Sequence, residues 1–127
     1  MFFNEHVDVN YCLSKAAQRG YLEIVQMLVN DTDPCFNDCE ALRLAAENGY
    51  TEIVDILLNN GSDVHAKDNY ALKYSAINGH EETVELLLNF GASPSQEMID
   101  NVTNDNIKYL LTNMSNTKML KFAGKMN

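Results

Sequence analysis

Two cysteines four residues apart, Cys35 and Cys39, have the spacing of half a metal site in this 127-residue chain. A structural zinc site needs four ligands, usually supplied as two close pairs. No second pair stands at a suitable spacing, and His6, His65 and His80 fall at places set by an internal repeat. The carboxylates Glu52, Asp55, Glu81, Glu82 and Glu85 could work as an acid–base pair. Their spacing puts them on the polar faces of helices, where solvation is their ordinary reason. No nucleophile-elbow serine, phosphate-binding loop or Gly-x-Gly-x-x-Gly fingerprint occurs. The expectation is therefore no metal, no cofactor and no enzyme.

Charge narrows the partners. Up to Asp105 eighteen acids stand against five bases, a net of −13; four bases follow, and the whole chain carries −9. An acidic body disfavours a phosphate backbone, so no nucleic-acid partner is expected. No apolar run approaches the roughly 18–20 residues of a membrane span, so no membrane is expected either. The cysteines number three, Cys12, Cys35 and Cys39, an odd count that suits a reducing compartment. The opening Met1-Phe2-Phe3-Asn4-Glu5 lacks the basic and apolar stretches of a secretory leader. These features point to an intracellular, cytoplasmic protein. Apolar residues make up 46% of the chain, enough for one domain to bury about two-thirds of its unfolded surface.

The elements that position these residues repeat along the chain. Leu13–Leu28, Leu42–Leu57 and Leu72–Leu87 align without gaps, with Gly20, Gly49 and Gly79 spaced 29 and then 30 residues apart. Each segment predicts two short helices. The first starts near Asp38 or Asp68, whose carboxylates can cap free N–H groups. It carries a small pair, Ala16-Ala17, Ala45-Ala46 or Ser75-Ala76, that lets neighbouring helices approach, and it stops at the glycine. The second is apolar at Ile53, Val54, Leu57 and Leu58, or Val84, Leu87 and Leu88, which share one helix face. Gly61 and Gly91 end it. Such a pair cannot bury its apolar face alone, so the units must stack. A degenerate fourth unit echoes the second helix at Asn106–Leu111, with Met98, Ile99 and Val102 as its first buried positions. The repeats are expected at about 9–38, 39–68 and 69–95, a capping repeat at about 96–117 and a tail at 118–127, all within one domain.

The pattern Leu-x-x-Ala-Ala-x-x-Gly-(His/Tyr)-x-x-x-Val-x-x-Leu-Leu, followed by Gly-(Ala/Ser)-(Asp/Ser), resembles the ankyrin repeat. Leu42 to Asp68 follows that family nearly residue by residue. The period is shorter than the usual length of about 33 residues. Three finger residues are missing, the Thr-Pro dipeptide becomes Tyr11-Cys12, Glu40-Ala41 or Tyr70-Ala71, and the motif histidine becomes Ser14, Arg43 or Lys73. This trimmed style is similar to ankyrin proteins encoded by giant amoeba-infecting DNA viruses. The resemblance implies an all-α ankyrin-repeat solenoid with shortened β-turn fingers. It also implies a concave face of first helices and fingers, a convex face of second helices, and binding to another protein, a host protein in the viral case.

All five bases within the repeats fall on first helices or fingers: Lys15, Arg19, Arg43, Lys67 and Lys73. With Tyr11, Tyr70, Tyr74 and Glu47 they form the expected partner-binding face. Tyrosine and arginine are the side chains most enriched at binding hot spots. Arg43 and Lys73 replace the histidine that ties down the helix start, so they are expected to be free for a ligand. Two other functions fit the pattern. One is self-association, through apolar surface left by the incomplete fourth repeat and through Phe2, Phe3, Met119, Leu120 and Phe122. The other is a substrate adaptor for a ubiquitin ligase, which the short stretch 112–127 makes weaker. A monomer is favoured over an oligomer.

Overall fold

The computed structural model describes residues 8–113. The chain forms helix pairs: α1 (Val9–Arg19) with α2 (Leu22–Leu28), α3 (Phe36–Glu47) with α4 (Thr51–Asn59), and α5 (Ala66–Ile77) with α6 (Glu81–Asn89). A short 3-10 turn, Val29–Asp31, follows α2. The fourth unit consists of α7 (Gln96–Asn101) and a helix over residues 105–113. No strand occurs among the described residues. First helices pack on first helices, α1 on α3 and α3 on α5, and second helices on second helices. The architecture is the all-α stack of helix pairs that the repeat requires.

The core runs the length of the stack. Each repeat contributes the same positions, so Leu13, Leu42 and Leu72 are buried, as are Val25, Val54 and Val84, and Leu57 and Leu87. The small pairs are buried too, which lets first helices approach at their Ala and Ser faces. The fourth unit continues the layer with Met98, Val102, Ile107 and Leu111. Among the described residues that end also exposes Tyr109. Five of the nine exposed large apolar side chains among the described residues, Val9, Tyr11, Tyr21, Ile24 and Met27, belong to the first unit; the others, Tyr50, Ile77, Phe90 and Tyr109, are spread along the stack. Phe2, Phe3, Met119, Leu120, Phe122 and the tail 118–127 lie outside the described residues.

Each first helix closes at its glycine with a left-handed residue, φ 78° at Gly20 and 77° at Gly49. The Tyr50 N–H then reaches back to the Ala45 carbonyl at 3.0 Å, which satisfies a free helix end. These glycines have a second reason to lack a side chain. A Cβ on Gly20 would meet the Tyr50 ring at 2.8 Å, and one on Gly49 would meet the His80 ring at 2.5 Å. The aromatic residue of each repeat thus seats on the glycine of the repeat before it. His80 is a packing residue of this kind, and its Nε2 donates to the Glu47 carbonyl at 3.0 Å.

The start of the first helix differs from expectation. Asp38 and Asp68 do not cap it. They sit inside single left-handed turns, Asn37-Asp38-Cys39 and Lys67-Asp68-Asn69, all six residues at φ 52–60°. The chain has to turn into the helix without the three missing finger residues, and the left-handed turn is the short way to do it. Asn and Asp tolerate this conformation better than most residues, which explains the composition. The carboxylates that act nearby lie earlier, in the turns before the helices: Asp33 Oδ1 accepts from the Cys35 N–H and Asp63 Oδ1 from the His65 N–H, and no side chain caps either helix.

Candidate functional site

A continuous row of rings and cations lies across the first helices. The Arg43 guanidinium stands 5.1 Å from the Tyr70 ring centroid. Tyr70 and Tyr74 rings are 4.3 Å apart and tilted by 38°. Lys73 Nζ stands 5.5 Å from the Tyr74 centroid, and Lys15 Nζ stands 5.5 Å from Tyr11 one unit away. Such cation–ring contacts are worth about 0.5–1 kcal/mol at exposed sites, so they bias the row towards this arrangement. Tyr70 donates its hydroxyl to Glu47 at 2.9 Å. Burial, helped by that carboxylate, pushes the Tyr70 phenol above its ordinary value, and the ring stays neutral and donating.

The structure brings together Arg43, Glu47, Tyr70, Lys73 and Tyr74. It sets the other four apart. Tyr11, Lys15 and Arg19 line a groove at the start of the stack. Lys67 lies on the second left-handed turn, its Nζ 4.0 Å from Asp38 on the first. Arg43 also has a role that the sequence hid. Its Nε donates to the Asp38 carbonyl at 2.9 Å and its Nη2 to the Asn37 carbonyl at 3.0 Å. Arg43 is therefore not freed from tying down the helix start; it clamps the left-handed turn through that turn's own carbonyls. Neither Glu40 nor Glu47 neutralises it, since these carboxylates accept from Asn37 and Tyr70 instead.

A cleft of about 400 Å³ adjoins the row where α5 meets α7, lined by Asp68, Lys73, Ile77, Glu97 and Met98 among others. It exists because α7 does not pack on α5 as α5 packs on α3. The six residues of α7 are too short to repeat that contact.

A model of ankyrin repeats in three copies matches residues 13–98, more than half of the chain. The chain belongs to the ankyrin-repeat family. No curated protein matches it. Ankyrin-repeat proteins are generally protein-interaction modules. Among the described residues no group of three His, Cys, Asp or Glu side chains could hold a metal, and no helix is long and apolar enough to cross a membrane.

This ankyrin chain also holds a set of contacts that sequence reasoning missed, joining each finger to the next. Asn10 Oδ1 accepts from the Asp33 N–H at 2.8 Å, Cys39 Sγ from Asp63 at 3.3 Å, and Asn69 Oδ1 from Ser93 at 3.4 Å. Asn10, Cys39 and Asn69 share one register, and that alignment was the signal. Cys39 takes the place of an asparagine there, so its four-residue spacing from Cys35 belongs to the finger. Burial pushes the Cys39 thiol up to about 12.

Proposed function

We propose that this chain binds a partner protein through the concave face formed by its first helices and fingers. The observation that carries the reading is the ordered row Arg43–Tyr70–Tyr74–Lys73. It combines hot-spot residue types on a rigid stack, beside a cleft that can take an anchoring side chain. A preorganised surface lowers the ordering cost of association. Lys73 and Tyr74 are the members for which only contacts within the row are seen; Arg43 is held by the turn. Tyr11 and Lys15 extend the same stripe by one repeat. The viral likeness of the trimmed repeats makes a host protein, met inside the host cell, the partner class to test first.

The test compares capture from host lysate by the wild-type chain, a Lys73→Glu/Tyr74→Ala variant and a convex control, Glu52→Lys/Glu82→Lys. A protein retained by the wild type and the convex control but lost by the concave variant supports the reading. Loss on the convex control alone defeats it.

A further inference from the structure

The repeats contain their own comparison of a covered and an uncovered face. Ile53 is 2% exposed and Thr83 is fully buried, because each lies against the helix pair before it; Ile24, at the same register, is 43% exposed. The Thr83 hydroxyl bonds that of Thr51 at 2.8 Å across such a junction. Ala41 and Ala71 are buried, whereas Cys12 at their register is only partly so. Tyr50 seats on Gly20 and His80 on Gly49, while Tyr21 is exposed together with Met27. Two open depressions, of about 490 and about 420 Å³, meet at Tyr21 and Ile24. This face continues, in register, the interfaces that hold the stack together. A contiguous apolar face of that kind marks an interaction surface.

Its chemistry indicates the occupant. At the opposite end the fourth unit buries Ile107 and Leu111 and exposes Tyr109, so among the described residues the open face has its counterpart only in the same face of a second copy. A second copy covers the open face by presenting its own, which makes the contact two-fold and self-complementary. Charge then selects the arrangement. On this face α1 carries the cations Lys15 and Arg19, while α2 carries Glu23 and no base. Laying α1 on the second copy's α1 would oppose like charges. An axis parallel to the helices, between α1 and α2, lays α1 on α2 instead. Arg19, the last residue of α1, then meets Glu23, in the first turn of the second copy's α2, and the pair occurs twice.

We infer that this ankyrin chain forms a two-fold dimer through its α1–α2 face, with Tyr21, Ile24 and Met27 buried and Arg19 paired to Glu23 across the axis. The sequence alone favours a monomer; the exposure of this face is what argues otherwise. The contact leaves the row Arg43–Tyr70–Tyr74–Lys73 free; Lys15 borders both surfaces and is changed in neither test.

Sedimentation velocity on the full chain, from micromolar to submillimolar concentration, tests it. The wild type shifts from one chain to two as concentration rises. Ile24→Glu abolishes the shift with an unchanged helical circular-dichroism spectrum. Arg19→Glu alone and Glu23→Arg alone each remain single chains, and their equimolar mixture restores the dimer, since one copy is then all acidic and the other all basic at the contact. A wild type that stays a single chain throughout overturns the inference. So does a dimer that survives Ile24→Glu and is lost on Tyr109→Glu at the far end. A mixture that stays monomeric overturns the assigned two-fold.

Discussion

Cys39 sits where its counterparts are asparagines, and that difference has testable effects. Sulfur is a weak acceptor, and cysteine gains nothing in the left-handed region that asparagine tolerates. Cys39→Asn restores an oxygen acceptor for the Asp63 N–H and should raise stability by about 1 kcal/mol in chemical denaturation. The thiol also predicts a pH dependence. Its folded value, about 12, lies above the ordinary 9.0, so the folded chain holds the proton where the unfolded chain has lost it. That contribution is complete below pH 9.0 and is lost progressively as pH rises towards 12. The thermal midpoint should fall across this window more steeply in the wild type than in Cys39→Asn; parallel slopes would contradict the assignment. The glycines give a second residue-scale test. Gly49 and Gly79 share a left-handed φ, 77° and 81°, but a Cβ on Gly49 strikes His80 while one on Gly79 meets nothing within 4 Å. Both Ala substitutions should cost about 1–2 kcal/mol for the backbone. Gly49→Ala should cost about 1–3 kcal/mol more for overpacking against the next repeat. Equal losses would mean that the seating of His80 on Gly49 carries no stability.

Between elements, the shared apolar layer outweighs everything on the convex surface. Leu57 and Leu87 are fully buried and face adjacent units, so Leu57→Ala or Leu87→Ala should lower stability by about 2–5 kcal/mol. Asp55→Ala removes only an exposed contact with Asn59 and should cost under about 0.5 kcal/mol. Matching thermal shifts for the two sets would refute the layer. These positions could be read from the sequence because they repeat: the glycine register, the small pairs and the second-helix apolar face each recur three times and agree. What could not be read was the start of the first helix. Left-handed backbone is ordinarily flagged by glycine, and Asn37-Asp38-Cys39 has none. The Arg43 clamp depends on that turn, so it was equally hidden; the charge of Arg43 suggested a free ligand-binding residue. The row itself was half legible. Spacing placed Tyr70, Lys73 and Tyr74 on one stretch of helix, but Tyr11, Lys15 and Arg19 belong to the end of the stack, which repeat-by-repeat alignment treats as equivalent to its middle.

A stack whose units touch only their neighbours has stability that is a sum of unit and junction contributions, so its ends should open before its middle. The two ends differ here. At the start, α2 has seven residues, only Val25 among them is buried, and among the described residues no earlier helix pair covers Ile24. At the far end, α7 has six residues and packs weakly on α5, but the 105–113 helix buries Ile107 and Leu111 completely. In the middle, α3 is covered on both sides, by α1 and α5. Native-state hydrogen exchange should therefore show amides of α2 and α7 opening first, those of the 105–113 helix and α5 next, and those of α3 only with global unfolding. Because α2 opens for want of a neighbour, any contact that covers it should slow its exchange and leave α7 unchanged. Raising the chain concentration is such a perturbation if the α1–α2 face pairs, and it acts by mass action on the covered end alone. Uniform exchange along the chain, or protection of α2 equal to that of α4 at low concentration, would show that the open face costs the stack nothing and that junction contributions do not govern its order of opening.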